Sequence, residues 1–342
     1  MINLYVNYKE KEPCFATISE AFSYLHENYT YVEPTYPAAE EAVEPATIHI
    51  APGTYREHLV LERPNVTLVG ESAENTVLVY GLYADEIMED GIKRGTFRTA
   101  SVRIHTHDVT AKNLTFQNDS GYGYKVGQAL ALYADGDRNS FVNCRLLGSQ
   151  DTLFTAPLPR KEAQPGGFTG PGQDKPRTMG RQYYKNCYIQ GDVDFIFGGA
   201  CCLFEDCTIY SKLPEKKPLE AGMEEIYGYV TAASTFKEEP YGYVLKNCRL
   251  ESDCPKGTIY LGRPWREYAK TVFLNCYLGD HIHPLGWNDW GKTHGHFYYG
   301  EYKSYGPGAN PEARADFSHQ LTEDEAATYT MENVLQGWMP EI

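Results

Sequence analysis

The sequence predicts an all-β solenoid, a parallel β-helix of stacked coils, as a single domain over residues 1–342. Two observations predict this fold. The chain contains 28 tyrosines, 14 phenylalanines and 31 glycines, a composition that favours many short strands closed by turns. In addition, a phrase centred on cysteine recurs at intervals near one or two coils of about twenty residues.

The recurring phrase consists of an apolar residue, a spacer, Asn or Asp, Cys, a spacer and Leu or Ile. Its cysteines are 43, 20, 41 and 28 residues apart, and a leucine takes the same place 30 residues before the first. We expect coils about 4.8 Å apart, with Asn side chains bonded along the stack and thiols filling the core rather than holding metal. The adjacent Cys201 and Cys202 should point inward and outward in turn. The stack positions are Leu114, Cys144, Cys187, Cys207, Cys248 and Cys276.

The ends of a solenoid need capping elements, and a capping box occurs near each end of this chain. The box that starts at Thr17 predicts a helix over about 18–29, and the box that starts at Thr322 predicts a helix over about 323–335. Between them, a Pro- and Gly-rich stretch over about 155–180 interrupts the repeat. It predicts a long loop beside the solenoid.

Charge and composition exclude several classes of partner. The net charge of -15 argues against nucleic acid and anionic membranes, so an acidic ligand would need local basic groups. No stretch of eighteen apolar residues predicts a membrane span, and the N-terminus lacks a signal-peptide pattern. The nine cysteines lack zinc-site spacing and are expected to be reduced. We therefore expect a cytosolic monomer, although a secreted protein without its signal peptide would look the same.

The segment GDVDFIFGGACCLF at 191–204 combines carboxylates with an apolar strand. A period of two puts Asp192 and Asp194 on one face and Val193, Phe195 and Phe197 on the other, presumed core, face. A carboxylate among apolar groups costs free energy unless it is paired or hydrogen-bonded. Asp194 therefore needs either a structural partner or a function.

Three further polar residues fall in a register that can bring them to Asp194. Gln128 and Gln150 are 22 residues apart, about one coil, and Asp151 follows Gln150 directly. The 43 residues from Asp151 to Asp194 include the long loop, so these aspartates can lie on neighbouring rungs. Paired carboxylates push their pKa values apart, giving one base or nucleophile and one acid. Amide N–H groups can hold an oxyanion.

The segment LGRPWREY supplies a cation and a flat aromatic ring. Arg263 beside Asp194 would keep that carboxylate ionised and oriented, and Trp265 offers a face on which a sugar ring can stack. Each of these residues alone has an ordinary structural interpretation, as a turn former, a ladder amide or a strand end. Their common order and register favour a site.

In the same order, GQALAL, GSQDTLF, GDVDFIFGGA, YLGRPWREY and GDHIHPLGW resemble the signature segments of pectin methylesterases, over about 17–338. The resemblance implies a right-handed parallel β-helix that de-esterifies methylated galacturonan without metal or organic cofactor. It implies Asp194 as nucleophile, Asp151 as general acid and then base, Gln128 and Gln150 as oxyanion hole, and Arg263 as the group that orients Asp194.

The same resemblance implies substrate contacts at aromatic and neighbouring positions of the groove. These are Trp265, Phe154, Phe195, Val193 and Trp287. Two features depart from the family pattern. Asp192 stands where a hydroxyl residue is expected, and the insertion between Phe154 and Arg181 is longer than the plant-like pattern. We expect the insertion to rise beside the cleft and to favour oligomers over long polymers.

Two other functions fit parts of the pattern. A glycoside hydrolase or lyase on the same fold would use paired carboxylates or a basic group with Ca²⁺ and would cut the chain instead of the ester. A polysaccharide-binding protein without activity would keep the aromatic residues but would not need the Gln and Asp set. Four histidines without nearby acidic ligands, which we expect to be solvated or structural, do not predict a metal site. They are His281, His283, His294 and His296.

Overall fold

The chain forms a right-handed parallel β-helix. The structure, a computed structural model, describes residues 1–29, 43–215, 225–292 and 295–341. Within these residues, successive coils contribute strands to three sheets, called A, B and C here, and neighbouring strands of each sheet run parallel. The predicted fold class is confirmed.

Within each sheet, the strands are named in spatial order from the N-terminal to the C-terminal end of the stack. In the described residues, sheet A has twelve strands: Cys14–Phe15, Ile2–Val6, Ala46–Ile50, Val66–Gly70, Val109–Lys112, Asn139–Val142, Arg181–Lys185, Cys201–Glu205, Tyr243–Lys246, Lys270–Leu274, Tyr298–Tyr302 and His319–Gln320. Sheet B has eight in the same residues: Gly53–Arg56, Thr76–Tyr80, Thr115–Asn118, Arg145–Leu147, Tyr188–Gly191, Thr208–Ser211, Arg249–Ser252 and Tyr277–Leu278. Sheet C has seven there: Leu59–Leu61, Val102–His105, Leu132–Asp135, Leu153–Thr155, Val193–Gly198, Gly228–Ala233 and Ile259–Gly262.

An asparagine ladder marks the turn between sheets A and B. Asn143 Nδ2 donates to Asn113 Oδ1 at 3.2 Å, and Asn186 Nδ2 donates to Asn143 Oδ1 at 3.3 Å. These residues have φ between 52° and 58°, a left-handed conformation that Asn adopts more readily than most residues. The repeated Asn therefore both turns the chain and bonds the coils, as predicted.

The cysteines that follow the ladder residues fill the core. Cys144, Cys187, Cys207, Cys248 and Cys276 are buried free thiols in the main hydrophobic cluster. The adjacent pair divides as alternation predicts. Cys202 lies in that main cluster, whereas Cys201 lies on the outer side of sheet A and its Sγ donates to the carbonyl of Val334 at 3.0 Å.

Short helices accompany the solenoid. In the described residues they are α1 (Ile18–Asn28), α2 (Gly123–Val126), α3 (Glu323–Ala327) and α4 (Met331–Val334), with 3-10 turns at Thr96–Arg98 and Pro311–Ala313. None of the helices in the described ranges is long and apolar enough to cross a membrane.

The capping boxes begin helices at both ends, but the C-terminal prediction is wrong in extent. At α1, Glu20 N donates to Thr17 Oγ1 at 3.1 Å and Thr17 N donates to Glu20 Oε2 at 3.1 Å. The single helix predicted over 323–335 is two helices, α3 and α4. The chain leaves helical geometry after α3 and restarts at a new N-cap, Thr330, whose hydroxyl accepts from Asn333 N at 3.1 Å.

Candidate active site

A cavity of about 370 Å³, called the cleft here, lies beside sheet C. It collects the polar residues that the register predicted, although they are spread over 136 positions of the chain, from 128 to 263. Six predicted site residues line it: Gln128, Gln150, Asp151, Asp194, Arg263 and Trp265.

The two aspartates have unusual backbone conformations. Asp194 has φ 49° and Asp151 has φ 63°, and Asp151 N donates to the carbonyl of Val193 at 3.0 Å. The pairing of Val193–Gly198 with Gly228–Ala233 shifts register between Val193 and Ile196. A left-handed residue other than glycine costs about 1–3 kcal/mol and occurs preferentially at functional sites. Asp151 and Asp194 thus both have a backbone conformation that is typical of functional sites.

This register shift overturns the predicted alternation. Val193, Phe195 and Phe197 do not share a face: Phe195 is fully buried in the main core, Phe197 lines the cleft, and Val193 is half-buried outside the cleft lining. The prediction of substrate contact is wrong for Phe195, which has 0 % exposure.

Trp287 is also a core residue instead of a groove residue. It is 1 % exposed and its ring stacks on Tyr299 at 4.3 Å between centroids. Phe154 is fully buried, but it belongs to a second cluster that includes Phe197 and supports Trp265 from below. Of the predicted aromatic contacts, Trp265 lines the cleft and Phe154 lies beneath it.

Arg263 holds Asp194 with two hydrogen bonds. Its Nε donates to Asp194 Oδ1 at 2.8 Å and its Nη2 donates to Asp194 Oδ2 at 2.7 Å. The guanidinium lies between the rings of Tyr229, at 3.8 Å, and Trp290, at 3.7 Å. This bidentate geometry with aromatic rings on both faces fixes the plane of the carboxylate.

The electrostatics separate the two carboxylates. Burial raises the pKa of Asp151 well above its usual range, and the charge of Asp194 raises it further, whereas Arg263 opposes the shift. Burial also raises the pKa of Asp194, but the hydrogen bonds and charge of Arg263 act against it. Asp194 is therefore the group favoured to ionise, and Asp151 the group favoured to keep a proton.

Asp192 adds a third carboxylate near the pair. It is 2 % exposed, its Oδ1 accepts from Val193 N at 2.7 Å, and its charge contributes to raising the pKa of Asp151. Burial lowers the pKa of Lys212, and the negative charge of Asp192 opposes this change.

The two glutamines lie on neighbouring rungs. Ala129 N donates to the carbonyl of Gln150 at 3.1 Å. Since Gln128 directly precedes Ala129, this bond joins the two rungs that carry the glutamines. Within the described part of the chain, neither amide side chain bonds another protein group, so their N–H donors are available in the cleft. Gly123 of α2 packs against Gln150, because a Cβ at Gly123 would lie 2.5 Å from Gln150 Oε1.

Several cleft residues escaped the sequence reasoning. Trp290, Phe97, Phe168 and Arg266 all line the cleft, and the guanidinium of Arg266 lies 4.6 Å from the ring centre of Trp265. These residues come from loops and from the 3-10 turn Thr96–Arg98, where no periodicity indicates direction. The segment GWNDW, with a second tryptophan beside Trp287, was the one signal available for Trp290.

The described histidines do not gather into a metal site. Burial lowers the pKa of His281 to about 4, His283 stacks on Tyr260 at 4.4 Å, and His296 contacts Glu267 at 2.8 Å. His294 lies outside the described residues. In the described ranges, no group of three His, Cys, Asp or Glu residues could hold a metal ion.

Comparison with known proteins identifies the family. The pectinesterase family model matches residues 26–160 and 176–338. Pectinesterase 31 of Arabidopsis thaliana is 34% identical over 293 residues, which is 82% of this chain and 80% of the relative.

Two solved structures are similar over almost their full length. A pectin methylesterase in complex with a hexasaccharide has 29% identity and a TM-score of 0.77, covering 100% of this chain and 99% of the other. Pectin methylesterase PemA from Erwinia chrysanthemi has 29% identity and a TM-score of 0.75, covering 99% and 98%.

These similarities show that the protein, a parallel β-helix with two unequal carboxylates and an arginine in one cleft, is a carboxylic ester hydrolase. The chain belongs to the pectinesterase family. Membership of this family gives no support to the cytosolic setting expected from the N-terminus and the reduced cysteines.

Proposed function

We propose that the protein hydrolyses the C6 methyl ester of methylated galacturonan, in pectin or oligogalacturonides, to a free carboxylate and methanol. The observation that carries the proposal is the Arg263–Asp194 pair in the cleft, beside Asp151 with its raised pKa. Such a pair supplies an ionised nucleophile and a protonated acid at the same pH. The names of the relatives support the choice of ester.

In the first half-reaction, Asp194 attacks the C6 carbonyl carbon of a methyl galacturonate. The amide N–H groups of Gln128 and Gln150 donate to the oxyanion of the tetrahedral intermediate. Asp151 gives its proton to the departing methanol oxygen, so the C–O bond breaks without releasing methoxide. The product is an anhydride between Asp194 and the sugar carboxyl.

In the second half-reaction, Asp151 is a carboxylate and takes a proton from water. That water attacks the sugar carbonyl carbon of the anhydride, and the sugar leaves as a carboxylic acid, which loses its proton to solvent. Asp194 is released ionised and returns to Arg263, and Asp151 carries its proton again. One ester and one water thus give one acid and one methanol, by groups of the protein alone, and we propose that a metal or organic cofactor is not required.

One chain supplies every group in this scheme, so we propose that the protein acts as a monomer. Trp265 and Phe97, on the floor and side of the cleft, provide apolar surface for the sugar rings. Val193, half-buried next to the nucleophile, retains a substrate-contact role only as part of this proposal.

The test is methanol release from highly methylated pectin, with reducing ends and unsaturated products followed in parallel. Wild type should release methanol without cutting the chain, and Asp194→Asn should release none. Asp316→Asn is the matched control, since this exposed carboxylate does not line the cleft. Chain scission without methanol would contradict the proposal and favour a hydrolase or lyase; no product from any ester would favour a binding protein.

A further inference from the structure

Residues 161–175 lie between the two ranges that match the family model, 26–160 and 176–338. They belong to the long loop that leaves Leu153–Thr155 and enters Arg181–Lys185, and we call the loop, residues 156–180, the insertion wall. Four of its residues line the cleft: Ala163, Gln164, Gly167 and Phe168. A segment outside the residues that match the family model thus forms part of the cleft.

The insertion wall is held in shape by its own hydrogen bonds. The carboxylate of Glu162 accepts from Gly166 N and Phe168 N, each at 3.0 Å. Arg177 donates to four main-chain carbonyls at 2.5 to 3.3 Å, those of Pro159, Gly172, Gln173 and Lys175. A loop with this many internal bonds acts as a fixed surface, because displacing it would leave several polar groups unpaired.

The insertion wall is also fastened to coils on both sides of Asp194. On the N-terminal side, Tyr133 Oη donates to the carbonyl of Pro171 at 3.2 Å. On the C-terminal side, Arg160 forms an ion pair with Glu238 and lies 4.4 Å from the ring centre of Phe236. These contacts span four neighbouring strands of sheet C, roughly 14 Å at about 4.8 Å per strand.

The wall closes on the tryptophan that would support a sugar. Phe168 is 4 % exposed and packs edge-on against Trp265, with centroids 6.3 Å apart. Arg266 lies over the same indole at 4.6 Å and its Nη2 donates to the carbonyl of Lys161 at 3.4 Å. The ring of Trp265 is therefore flanked by the insertion wall, on the side of Phe168 and Lys161.

A second segment contacts a residue of the cleft. The segment that contains α2 packs on Gln150 through Gly123, and Lys125 forms an ion pair with Glu215. The cleft volume of about 370 Å³ is near the lower end of the range of about 300–1,000 Å³ typical of sites for small ligands.

We propose that the insertion wall ends the substrate groove beside Trp265, so that the enzyme prefers short methyl-esterified oligogalacturonides and chain ends to the interior of long pectin chains. This proposal rests on the proposed esterase function. A chain that extends past Trp265 must leave the cleft over Phe168 and Arg266, and the contacts of its further sugar units are lost.

The first test is a length series with the wild-type protein. Methanol release is measured for fully methylated galacturonides of three to ten units and for pectin, at equal ester concentration. We expect kcat/KM per ester to be roughly tenfold higher on the trimer than on pectin, because an interior ester can reach Asp194 only if the chain gives up one subsite contact that a short chain keeps. Equal rates, or rates that rise with length, would overturn the proposal. No methanol at any length would instead contradict the esterase function itself.

A second test changes the wall. Arg177 Nε lies 3.3 Å from the carbonyl of Pro159, so a short Gly-Ser linker can replace residues 161–175. This variant should raise the rate on pectin relative to the trimer by roughly tenfold, and Lys175→Ala, an exposed change outside the cleft lining, should leave the ratio unchanged.

A third measurement does not depend on the shortened variant folding. The wild-type enzyme is given a uniformly methylated hexamer, and mass spectrometry locates the first ester removed. We expect a unit near one end of the chain; removal from interior units first would overturn the proposal.

Discussion

The guanidinium of Arg263 lies 3.7 Å from the ring centre of Trp290, a residue that is 39% exposed and lines the cleft. Tyr229 covers the opposite face of the guanidinium at 3.8 Å. Arg263 is thus held in one plane by two rings while its two donors meet Asp194. In the proposed mechanism, Trp290 therefore acts on Asp194 through Arg263, as a positioning residue.

Trp290→Ala should lower kcat/KM for methyl ester hydrolysis roughly tenfold, which corresponds to one partly buried cation–π contact. Since a less fixed Arg263 stabilises the Asp194 carboxylate less, the acid limb of the pH–rate profile should also move to higher pH. Trp290→Phe should restore most of both properties, and Tyr305→Ala, which removes an exposed ring outside the cleft lining, should change neither. An unchanged acid limb in Trp290→Ala would rule out the positioning role.

Asp192→Asn should shift the basic limb of the profile to lower pH. The proposed mechanism needs Asp194 ionised and Asp151 protonated, so it predicts that kcat/KM rises through the pKa of Asp194 and falls through the pKa of Asp151. The charge of Asp192 helps raise the pKa of Asp151, so its removal lowers that pKa. Asparagine retains the oxygen that accepts from Val193 N at 2.7 Å.

The control for this change is Asp316→Asn, which alters the net charge equally at an exposed position. Full pH–rate profiles of the two variants should separate: a basic limb that moves in both, or in neither, would contradict a local effect of Asp192 on Asp151.

Asp151→Asn should make the protein more stable at pH 7 while it abolishes turnover. Because the pKa of Asp151 is higher in the folded than in the unfolded chain, folding stability falls as pH rises from the unfolded pKa, near 3.9, through the folded pKa. The neutral variant avoids this loss. Thermal unfolding at pH 7 and pH 3 should therefore show a gain for the variant at pH 7 only.

Asp108→Asn should change the stability at pH 7 in the opposite direction. Burial acts to raise the pKa of Asp108, but hydrogen bonds from His107 and Arg138 lower it to about 2. Its contribution is present above the unfolded pKa and is lost as pH falls through about 2, so this variant should lose about 1–2 kcal/mol of unfolding free energy at pH 7. A fall in stability at pH 7 for both variants would contradict the assignment for Asp151.

The thiols should differ sharply in reactivity. Cys14 is half-buried, whereas the other eight cysteines are buried in the described structure. We expect the native protein to take up one maleimide label, the Cys14→Ser variant none, and the unfolded wild type nine, as counted by intact mass. Labelling of Cys14 should leave ester hydrolysis unchanged. More than one label on the native protein would show that the core stack is open to solvent.

The regular parts of this molecule were predictable because they repeat. The repeated Asn–Cys phrase predicted the stacked coils, and the spacing from Gln128 to Gln150 predicted that these residues lie on neighbouring rungs. Period-two reasoning failed at Asp194, because it assumes an unbroken register and the left-handed aspartate breaks it. That break turns Phe195 into the core.

The irregular parts carry signals too weak for prediction. Trp287 and Trp290 are three residues apart in one loop, yet Trp287 is buried and Trp290 lines the cleft. Trp287 forms an isolated parallel bridge with Gly262, whereas Trp290 lies in a turn, and sequence spacing alone does not show this difference. The C-terminal helix is divided for a similar reason: the capping box at Thr322 shows where a helix begins, and the N-cap at Thr330 becomes effective only once the first helix has ended.

The strand that carries Asp194 is the fifth of the seven described strands of sheet C, so intact coils flank it on both sides. In a solenoid each coil contacts only its neighbours, and opening fluctuations begin at the ends of the stack. The terminal coils can therefore unzip and reclose many times without disturbing the Arg263–Asp194 pair. Amide hydrogen exchange should be fast at the two ends of the stack and slowest around the cleft. Partial denaturation should therefore unfold the terminal coils first, while ester hydrolysis persists.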